Sequence, residues 1–336
     1  VRSRGLGDVY KRQCELTFYK EEYLADDILE FDNIEDLRRF DSEFLLNIDS
    51  EIVTNICETL QCEPNDITDI SVINAGLTNV SFAFESNEVK YVYRHPGGTA
   101  GNLIDRSAEL FAQKAAKKIG IDESVIRMEL SGWKISYFVP EAHNCDFERN
   151  DEQLETAMEY LHKLHAVTAD ENVKVFDDVA EGKKLMAIAS ATKGNLFREF
   201  AEVIEKVERL YPLVKADAKR LGNGLVLCHN DTYEPNYLYD KDGKIYLIDW
   251  EYAGMQDPHV DIAMFCIYAM YNKAQTDHLI DIYFKGQCSD DTRTKIYCYM
   301  AACGLLWSNW CEYKSQLGVE FGEYSLRQYR LSLIHI

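Results

Sequence analysis

The residues best suited to chemistry lie between positions 228 and 254, where the sequence reads CHNDTYEPNYLYDKDGKIYLIDWEYAG. Asp231 and Asn236 stand close together in this stretch, and the apolar run IYLI ends at Asp249. Transfer of a phosphoryl group from ATP to an alcohol needs a carboxylate beside the hydroxyl, oxygen ligands for Mg²⁺ and a cation on the phosphates. This spacing supplies the first two, with Asn236 and Asp249 as the predicted metal ligands.

The order of these residues matches the catalytic loop of a kinase. His229-Asn230-Asp231 followed by Asn236 reproduces the spacing His-x-Asp-x-x-x-x-Asn. Asp249 stands where a protein kinase has the aspartate of its Asp-Phe-Gly motif. We therefore predict that Asp231, His229 and Asn236 are catalytic, with Asp231 facing the substrate hydroxyl.

The upstream sequence supplies a cation for the phosphates. Arg94, the last residue of YVYR, stands where the lysine of the kinase V-A-I-K motif would stand, and a guanidinium can hold two phosphate oxygens as a fork. Glu109 on the next predicted helix is its expected partner, with Asp105 as an alternative. The segment NAGLTN is the expected phosphate-covering loop, although alone it predicts no more than a hairpin turn. Its candidate nucleotide ligands are Gly76, Thr78 and Asn79.

The surrounding sequence predicts a small β-rich lobe followed by a larger helical lobe. DITDISVINAGLTNVSFAFES and NEVKYVYRHPG alternate apolar and polar residues, as strands of a half-exposed antiparallel sheet do. NLIDRSAELFAQKAAKKIG has helical spacing and Gly120 at a plausible helix end. After the short strand in WKISYFVPE, most of the chain has helical patterns. We predict an α+β, two-lobed fold with lobes at residues 56–140 and 141–330.

Composition limits the partners that this chain can have. Acidic residues number 57 against 36 basic ones, and a net charge of -21 repels phosphate backbones and anionic lipids. No apolar stretch approaches the ~18 residues of a membrane helix, and the first residues lack the apolar centre of a signal peptide. The ten cysteines form no CxxC pair, which favours reduced thiols. We expect a cytoplasmic protein with a small-molecule substrate, and neither nucleic-acid binding nor membrane insertion; the oligomeric state stays open.

From about residue 66 to 330 the chain resembles the choline/ethanolamine kinase family, close to its bacterial choline kinase branch, within the aminoglycoside phosphotransferase and protein-kinase-like superfamily. IDWEYAG matches the family's I-D-[FW]-E-Y signature, and DPHVDIAMF places Asp261 at the acid that braces the catalytic loop. GLLWSNWCEYKSQLGVEFGEY is similar to the family's helix of paired tryptophans. The resemblance implies Mg²⁺-dependent transfer of a phosphoryl group from ATP to choline, with the adenine against the strand near Tyr137 and Val139.

Aromatic residues in these stretches predict how a choline cation would be held. A quaternary ammonium has no N–H to donate, so it binds aromatic faces, each contributing ~0.5 to 2 kcal/mol. Such a tryptophan pair more often belongs to a core, but the signature and the negative charge favour a cation site. Glu251 could add a carboxylate for the cation or bind the metal. The predicted walls are Trp307 and Trp310, one helical turn apart, with Tyr252 and with Tyr268 or Tyr271.

Two other classes of function share parts of this pattern. A kinase for ethanolamine, thiamine or an aminoglycoside would have the same catalytic residues and a different acceptor pocket. A non-catalytic kinase-like binding module would have lost Asp231, Asn236 or Asp249, and all three are present. His162 and His165 fall on one helix without a third ligand nearby in sequence, so we expect them to be structural.

The two ends of the chain differ from the rest. Residues 1–13 are basic in an acidic protein, and we expect both this segment and residues 331–336 to be non-native, adapter-like sequence. Residues 14–55 form an acidic extension, in which EFDNIEDLRRFD resembles the C-terminal tail of nucleotidyltransferases that are sometimes fused in front of such kinases. The extension is thus either the tail of an upstream nucleotidyltransferase domain or a helical addition to the first lobe.

Overall fold

The computed structural model describes residues 50–73, 79–97, 104–167, 173–193, 200–220 and 224–334, together with Asp36 and Arg39. The chain divides into two compact units, Val1–Asn47 and Ile48–Ile336. In the first unit, Asp36 and Arg39 are helical and form an ion pair at 2.7 Å. Residues 1–13, predicted to be non-native, lie outside the described residues. The second unit contains every residue that the catalytic and family motifs single out.

A five-stranded antiparallel sheet begins the second unit. Its strand order is β1-β2-β3-β5-β4. In this sheet Arg94 lies opposite Ser81 on one side and opposite Lys134 on the other. The predicted antiparallel sheet is therefore confirmed. Its strands are β1 (Thr68–Ile73), β2 (Asn79–Ser86), β3 (Val89–Pro96), β4 (Val125–Met128) and β5 (Lys134–Tyr137).

Two helices accompany this sheet. Helix α1 (Glu51–Leu60) continues across residue 55, where the sequence placed the start of the lobe, and its Asn55 amide donates to the Tyr93 hydroxyl at 3.0 Å. Helix α2 (Arg106–Lys118) begins at Asp105, whose carboxylate accepts the backbone N–H groups of the first turn. Gly120 follows the end of α2 with φ +74°, a conformation that suits glycine, as predicted.

The larger lobe is mostly helical and is built around the long helix α8. Its apolar side chains, Leu305 and Leu306 among them, are buried in the main core. Helix α9 runs to Ile334, so residues 331–334 continue a helix, and Leu331 packs against the same core. The helices are α3 (Asp151–His165), α4 (Asp178–Lys193), α5 (Phe200–Arg220), α6 (His259–Tyr268), α7 (Lys273–Phe284), α8 (Asp290–Ser315) and α9 (Tyr324–Ile334).

Two short antiparallel sheets position the motif residues. One pairs β6 (His143–Asn144), β8 (Tyr237–Tyr239) and β9 (Ile245–Leu247), and the other pairs β7 (Val226–Cys228) with β10 (Gly254–Gln256). The catalytic loop follows β7, and the IDWEY segment joins β9 to β10. A Cβ atom on Gly254 would lie 2.9 Å from the Lys174 carbonyl oxygen, so only glycine fits there.

The architecture agrees with the predicted class: an α+β, kinase-like fold with a β-rich lobe and a larger helical lobe. None of the nine cysteines among the described residues forms a disulfide. Within the described part of the chain, no helix combines the length and apolar character needed to cross a membrane.

Candidate active site

Asp261, near the start of α6, holds the catalytic loop in place. Its carboxylate accepts the backbone N–H groups of His229 at 3.0 Å and Asn230 at 2.8 Å, and the His165 ring donates to it at 3.0 Å. Asn230 has φ +60°, which non-glycine residues seldom adopt. These bonds hold the loop in this conformation, so Asp261 lies where the sequence predicted a brace. His165 has a structural contact, in line with its predicted role.

The buried His229 ring links the loop to the strand that precedes Asp249. Its Nε2 lies 2.9 Å from the carbonyl oxygen of Ile248, and its ring contacts the Trp250 ring edge-on. Burial lowers the pKa of His229, which favours a neutral ring whose Nε2–H donates to that carbonyl. The sequence placed His229 among the catalytic residues, whereas these contacts suit a positioning residue.

Asp231 and Asn236 meet because a short 3₁₀ turn, Glu234–Asn236, folds the loop back. The Asn236 Nδ2 donates to the backbone oxygen of Asp231 at 2.9 Å and to its carboxylate at 3.0 Å. Burial raises the pKa of Asp231 to about 7, against the opposing effect of the nearby Tyr268 hydroxyl. A carboxylate with a pKa near neutrality suits a general base.

The phosphate side of the site is a buried ion-pair network. Arg94 Nη1 lies 2.5 Å from Glu109 Oε1 and 3.7 Å from Asp249 Oδ1, while Nη2 donates to the Gly132 carbonyl at 2.8 Å. The structure thus pairs Arg94 with Glu109, as predicted. The alternative partner, Asp105, caps α2 instead, with its carboxylate bonded to that helix's first turn.

Arg106 extends this network towards the IDWEY segment, a contact that the sequence analysis missed. Its Nη1 lies 2.5 Å from Glu109 Oε2, and its Nη2 donates to Asn79 Oδ1 at 3.4 Å. The Asn79 Nδ2 in turn donates to Glu251 at 2.6 Å. Gly132, in the turn after β4, has φ +98°, a conformation that favours glycine, and a Cβ there would lie 2.6 Å from Arg106 Nε.

Lys134 is a second cation on the phosphate side that the sequence analysis missed. It lies directly opposite Arg94 in the β3–β5 pairing, so both side chains leave the same face of the sheet. Burial and the charge of Arg94 lower the pKa of Lys134, while Asp249 and Glu109 oppose that change. Only the strand register brings Lys134 to this place, and register is not visible in a local motif.

The predicted adenine side adjoins a cavity of about 480 Å³. Tyr137, Val139 and Pro140 line one wall, and the turn from Asp240 to Lys244 contributes the other. Tyr137 is 51% exposed, so its ring is open to a ligand. The predicted loop residues Gly76 and Thr78 lie outside the described residues.

Three of the predicted acceptor residues surround Trp307. The Trp307 ring centroid lies 5.2 Å from that of Tyr252, 5.4 Å from that of Tyr268 and 5.5 Å from that of Trp310. We call these four residues the aromatic cluster. Tyr271 does not join it, because its ring contacts Phe265 in the core. The structure therefore selects Tyr268 from the two tyrosines that the sequence left open.

Two more rings extend the aromatic cluster and were missed from sequence. The Tyr233 ring lies 5.1 Å from Tyr268, and the Phe321 ring lies 5.5 Å from Trp310. Phe321 belongs to the VEFGEY part of the quoted tryptophan stretch, which could have drawn attention to it. Tyr233 stands two residues after Asp231, and nothing in that motif predicts that its ring joins the aromatic cluster.

In sequence, Glu251 stands between Asp249, a predicted metal ligand, and Tyr252 of the aromatic cluster. Its side chain is buried, with 4% of the residue exposed. Burial, together with the nearby charge of Asp249, raises the pKa of Glu251 to about 8. Its carboxylate accepts from Asn79, so it joins the IDWEY segment to the start of β2.

A carboxylate at the loop, oxygen donors on Asn236 and Asp249, and cations on the opposite sheet define a kinase-like phosphotransferase. The sequence profile of the phosphotransferase enzyme family matches residues 132–297. Protein LicA of Haemophilus influenzae is 27% identical over 267 residues, which cover 75% of this chain and 76% of that protein.

Solved structures show the same fold. The choline kinase LicA from Streptococcus pneumoniae superposes with a TM-score of 0.69 at 21% identity, covering 85% of this chain and 97% of that one. A choline/ethanolamine kinase family protein from Mesorhizobium loti gives a TM-score of 0.65 at 22% identity, covering 84% and 93%. The predicted resemblance is confirmed, and the chain is an ATP-dependent phosphotransferase.

Proposed function

We propose that this protein transfers the γ-phosphoryl group of ATP to the hydroxyl of choline and releases phosphocholine. The observation that carries the proposal is the position of Tyr268. Its hydroxyl is close enough to Asp231 to affect the pKa of that carboxylate, and its ring contacts Trp307. An alcohol whose cation binds the aromatic cluster therefore has its hydroxyl on the side of Asp231.

In this mechanism Asp231 accepts the proton of the choline hydroxyl as the oxygen attacks the γ-phosphorus, and the bond from that phosphorus to the bridging oxygen breaks to release ADP. The hydrogen bond from Asn236 fixes the orientation of the Asp231 carboxylate. Asp261 and His229 act through the loop backbone and are positioning residues. Arg94, oriented by Glu109, faces the phosphates from the sheet.

The donor set suits Mg²⁺. Asn236 uses its Nδ2 for Asp231, which leaves Oδ1 as the atom available to a cation, and the Asp249 side chain is 38% exposed. Both offer hard oxygen atoms, which Mg²⁺ prefers. We assign the metal to Asn236 and Asp249; when bound, it neutralises charge on the transferred phosphoryl group.

The adenine is assigned to the strand end at Tyr137 and Val139, beside the 480 Å³ cavity. Gly76, Thr78 and Asn79 stay predictions as the phosphate-covering loop. The described Asn79 already bonds to Glu251 and Arg106, so it connects that loop to the acceptor side.

The relatives support choline as the acceptor, since the structure from Streptococcus pneumoniae is described as a choline kinase. We also propose a cytoplasmic location, where the cysteines of the described residues, none of which forms a disulfide, would stay reduced. An upstream fused nucleotidyltransferase would use the phosphocholine product, and residues 14–55 stay predicted to be either its tail or a helical addition to the first lobe.

The test is phosphorylation with ATP and Mg²⁺ across choline, ethanolamine, thiamine and kanamycin, with products identified by mass spectrometry. We expect turnover on choline that is lost in Asp231→Asn and kept in Asp291→Asn, a matched change on the exposed start of α8. Turnover restricted to ethanolamine, thiamine or kanamycin would leave the kinase assignment standing and refute choline as the acceptor.

A further inference from the structure

A lysine is buried beside the aromatic cluster, where the proposed function requires a substrate cation. Lys314 follows Trp310 by one turn of α8 and is 3% exposed. Its ammonium nitrogen lies 5.5 Å from the centroid of the Trp310 ring. Lysine side chains are almost never this buried unless a charged or aromatic partner compensates them.

The charge of Glu251 also acts on this ammonium. Burial lowers the pKa of Lys314, and the charge of Glu251 opposes that change. An aromatic face also stabilises a trimethylammonium ion. The protein's own cation and the substrate's cation therefore compete for the Trp310 ring.

We propose that Lys314 is an internal cation that occupies the onium position beside Trp310 in the substrate-free protein. A cationic acceptor displaces it on binding, so Lys314 sets the acceptor's KM and weakens the preference for charged over uncharged alcohols. This inference rests on the proposed function, because it concerns the acceptor pocket of that reaction.

The main test compares Lys314→Met, which keeps a long apolar side chain without the charge, with Lys314→Arg, which keeps the charge. We expect the KM for choline to fall about tenfold in Lys314→Met, the scale of one desolvated cation–π contact, and to stay near wild type in Lys314→Arg. The KM for ATP stays unchanged in both. An unchanged or raised choline KM in Lys314→Met overturns the proposal and leaves Lys314 a structural residue.

An uncharged acceptor separates charge from shape. 3,3-Dimethylbutan-1-ol has the shape of choline with carbon in place of nitrogen. In Lys314→Met the ratio of kcat/KM for choline to that for this alcohol should rise about tenfold, because the nearby Lys314 ammonium repels a charged acceptor and not an uncharged one. A ratio equal to that of the wild type contradicts displacement.

A measurement on the unaltered protein covers the case in which the variants fold poorly. Acylation of lysines by acetic anhydride, followed by mass spectrometry, reports how accessible Lys314 is. We expect choline to raise the acylation of Lys314, since a displaced ammonium becomes exposed; slower or unchanged acylation overturns the proposal.

The two proposals fail in different ways. Wild-type turnover on choline with no effect of Lys314→Met refutes only the internal cation. Absence of turnover on any cationic alcohol refutes the proposed function and, with it, this inference.

Discussion

The phosphate side and the acceptor side of this site are held by different kinds of contact. On the phosphate side, Arg94 makes charged contacts of 2.5 Å with Glu109 and 2.8 Å with the Gly132 carbonyl. On the acceptor side, tilted and edge-on rings pack around Trp307 at centroid distances of 5.2 to 5.5 Å. Charged hydrogen bonds demand particular atoms, whereas aromatic packing tolerates several arrangements. We therefore expect substitutions on the phosphate side to affect the reaction itself, and substitutions on the acceptor side to change which acceptor binds.

The largest effect on kcat should come from removing the proposed base, Asp231, because that change affects the chemical step and leaves the residues that bind the acceptor in place. We expect Asp231→Asn to lower kcat about 10²- to 10⁴-fold, the usual contribution of a positioned base. Acceptor binding, followed by tryptophan fluorescence from Trp307 and Trp310, should change little. Equal losses of binding and kcat would mean that the two sides are not separable.

The loop brace should have the next largest effect. In Asp261→Asn an amide replaces one of the carboxylate oxygens that accept the His229 and Asn230 N–H groups, so the loop shifts. We expect kcat to fall about 10²-fold, since small displacements of catalytic groups cost that much. Asp281→Asn, a surface change on α7 at the Arg293 ion pair, is the control and should leave kcat unchanged.

The ion pair of the phosphate side should also determine stability. Glu109→Gln removes the nearest counter-charge of the buried Arg94 and, among the described residues, leaves only Asp249 in an ion pair with it, at 3.7 Å. The change should therefore lower the free energy of unfolding by about 3 kcal/mol, measured by urea denaturation. Although burial opposes it, the charges of Arg94, Lys134 and Arg106 hold the pKa of Glu109 below its ordinary value. The contribution of Glu109 is therefore present above the ordinary carboxyl pKa and is lost as pH falls below it. A variant whose stability equals that of the wild type at neutral pH would contradict this, whereas at acidic pH, where Glu109 is protonated, the two stabilities should converge.

The acceptor side should respond through KM and with substrate dependence. Trp310→Leu keeps an apolar side chain but removes a ring from the cluster, so the KM for choline should rise about 2- to 30-fold while kcat is kept. Ethanolamine, which can donate N–H groups to the carboxylates, should be affected less. Equal changes for both acceptors would show that Trp310 shapes the pocket without binding the cation.

Sequence predicted the phosphate side and the loop well because their residues are ordered by local spacing. Asp231, Asn236 and Asp249 stand at distances along the chain that one loop and one hairpin impose, and Glu109 lies on the inward face of a predictable helix. The choice between Tyr268 and Tyr271 depended on where α6 ends: Tyr268 is its last residue, and Tyr271 turns back to the core. Such outcomes depend on packing between distant segments, which no local pattern records.

Substitution of Lys134 should have the smallest effect on kinetics, and it tests most directly whether the phosphate side and the acceptor side act separately. It stands on the phosphate side, yet strand register rather than a motif brings it beside Arg94. If that side acts on the nucleotide alone, Lys134→Met should raise the KM for ATP about fivefold, the scale of one partly screened charge contact, and leave the KM for choline unchanged. Lys134→Arg should restore the ATP KM, and Lys114→Met, on the exposed face of α2, should have no effect. A rise in the choline KM would show that the buried network from Arg94 to Glu251 transmits changes across the site. Among the described hydrogen bonds, Asn79 alone joins Arg106 to Glu251, so such a change would pass through Asn79.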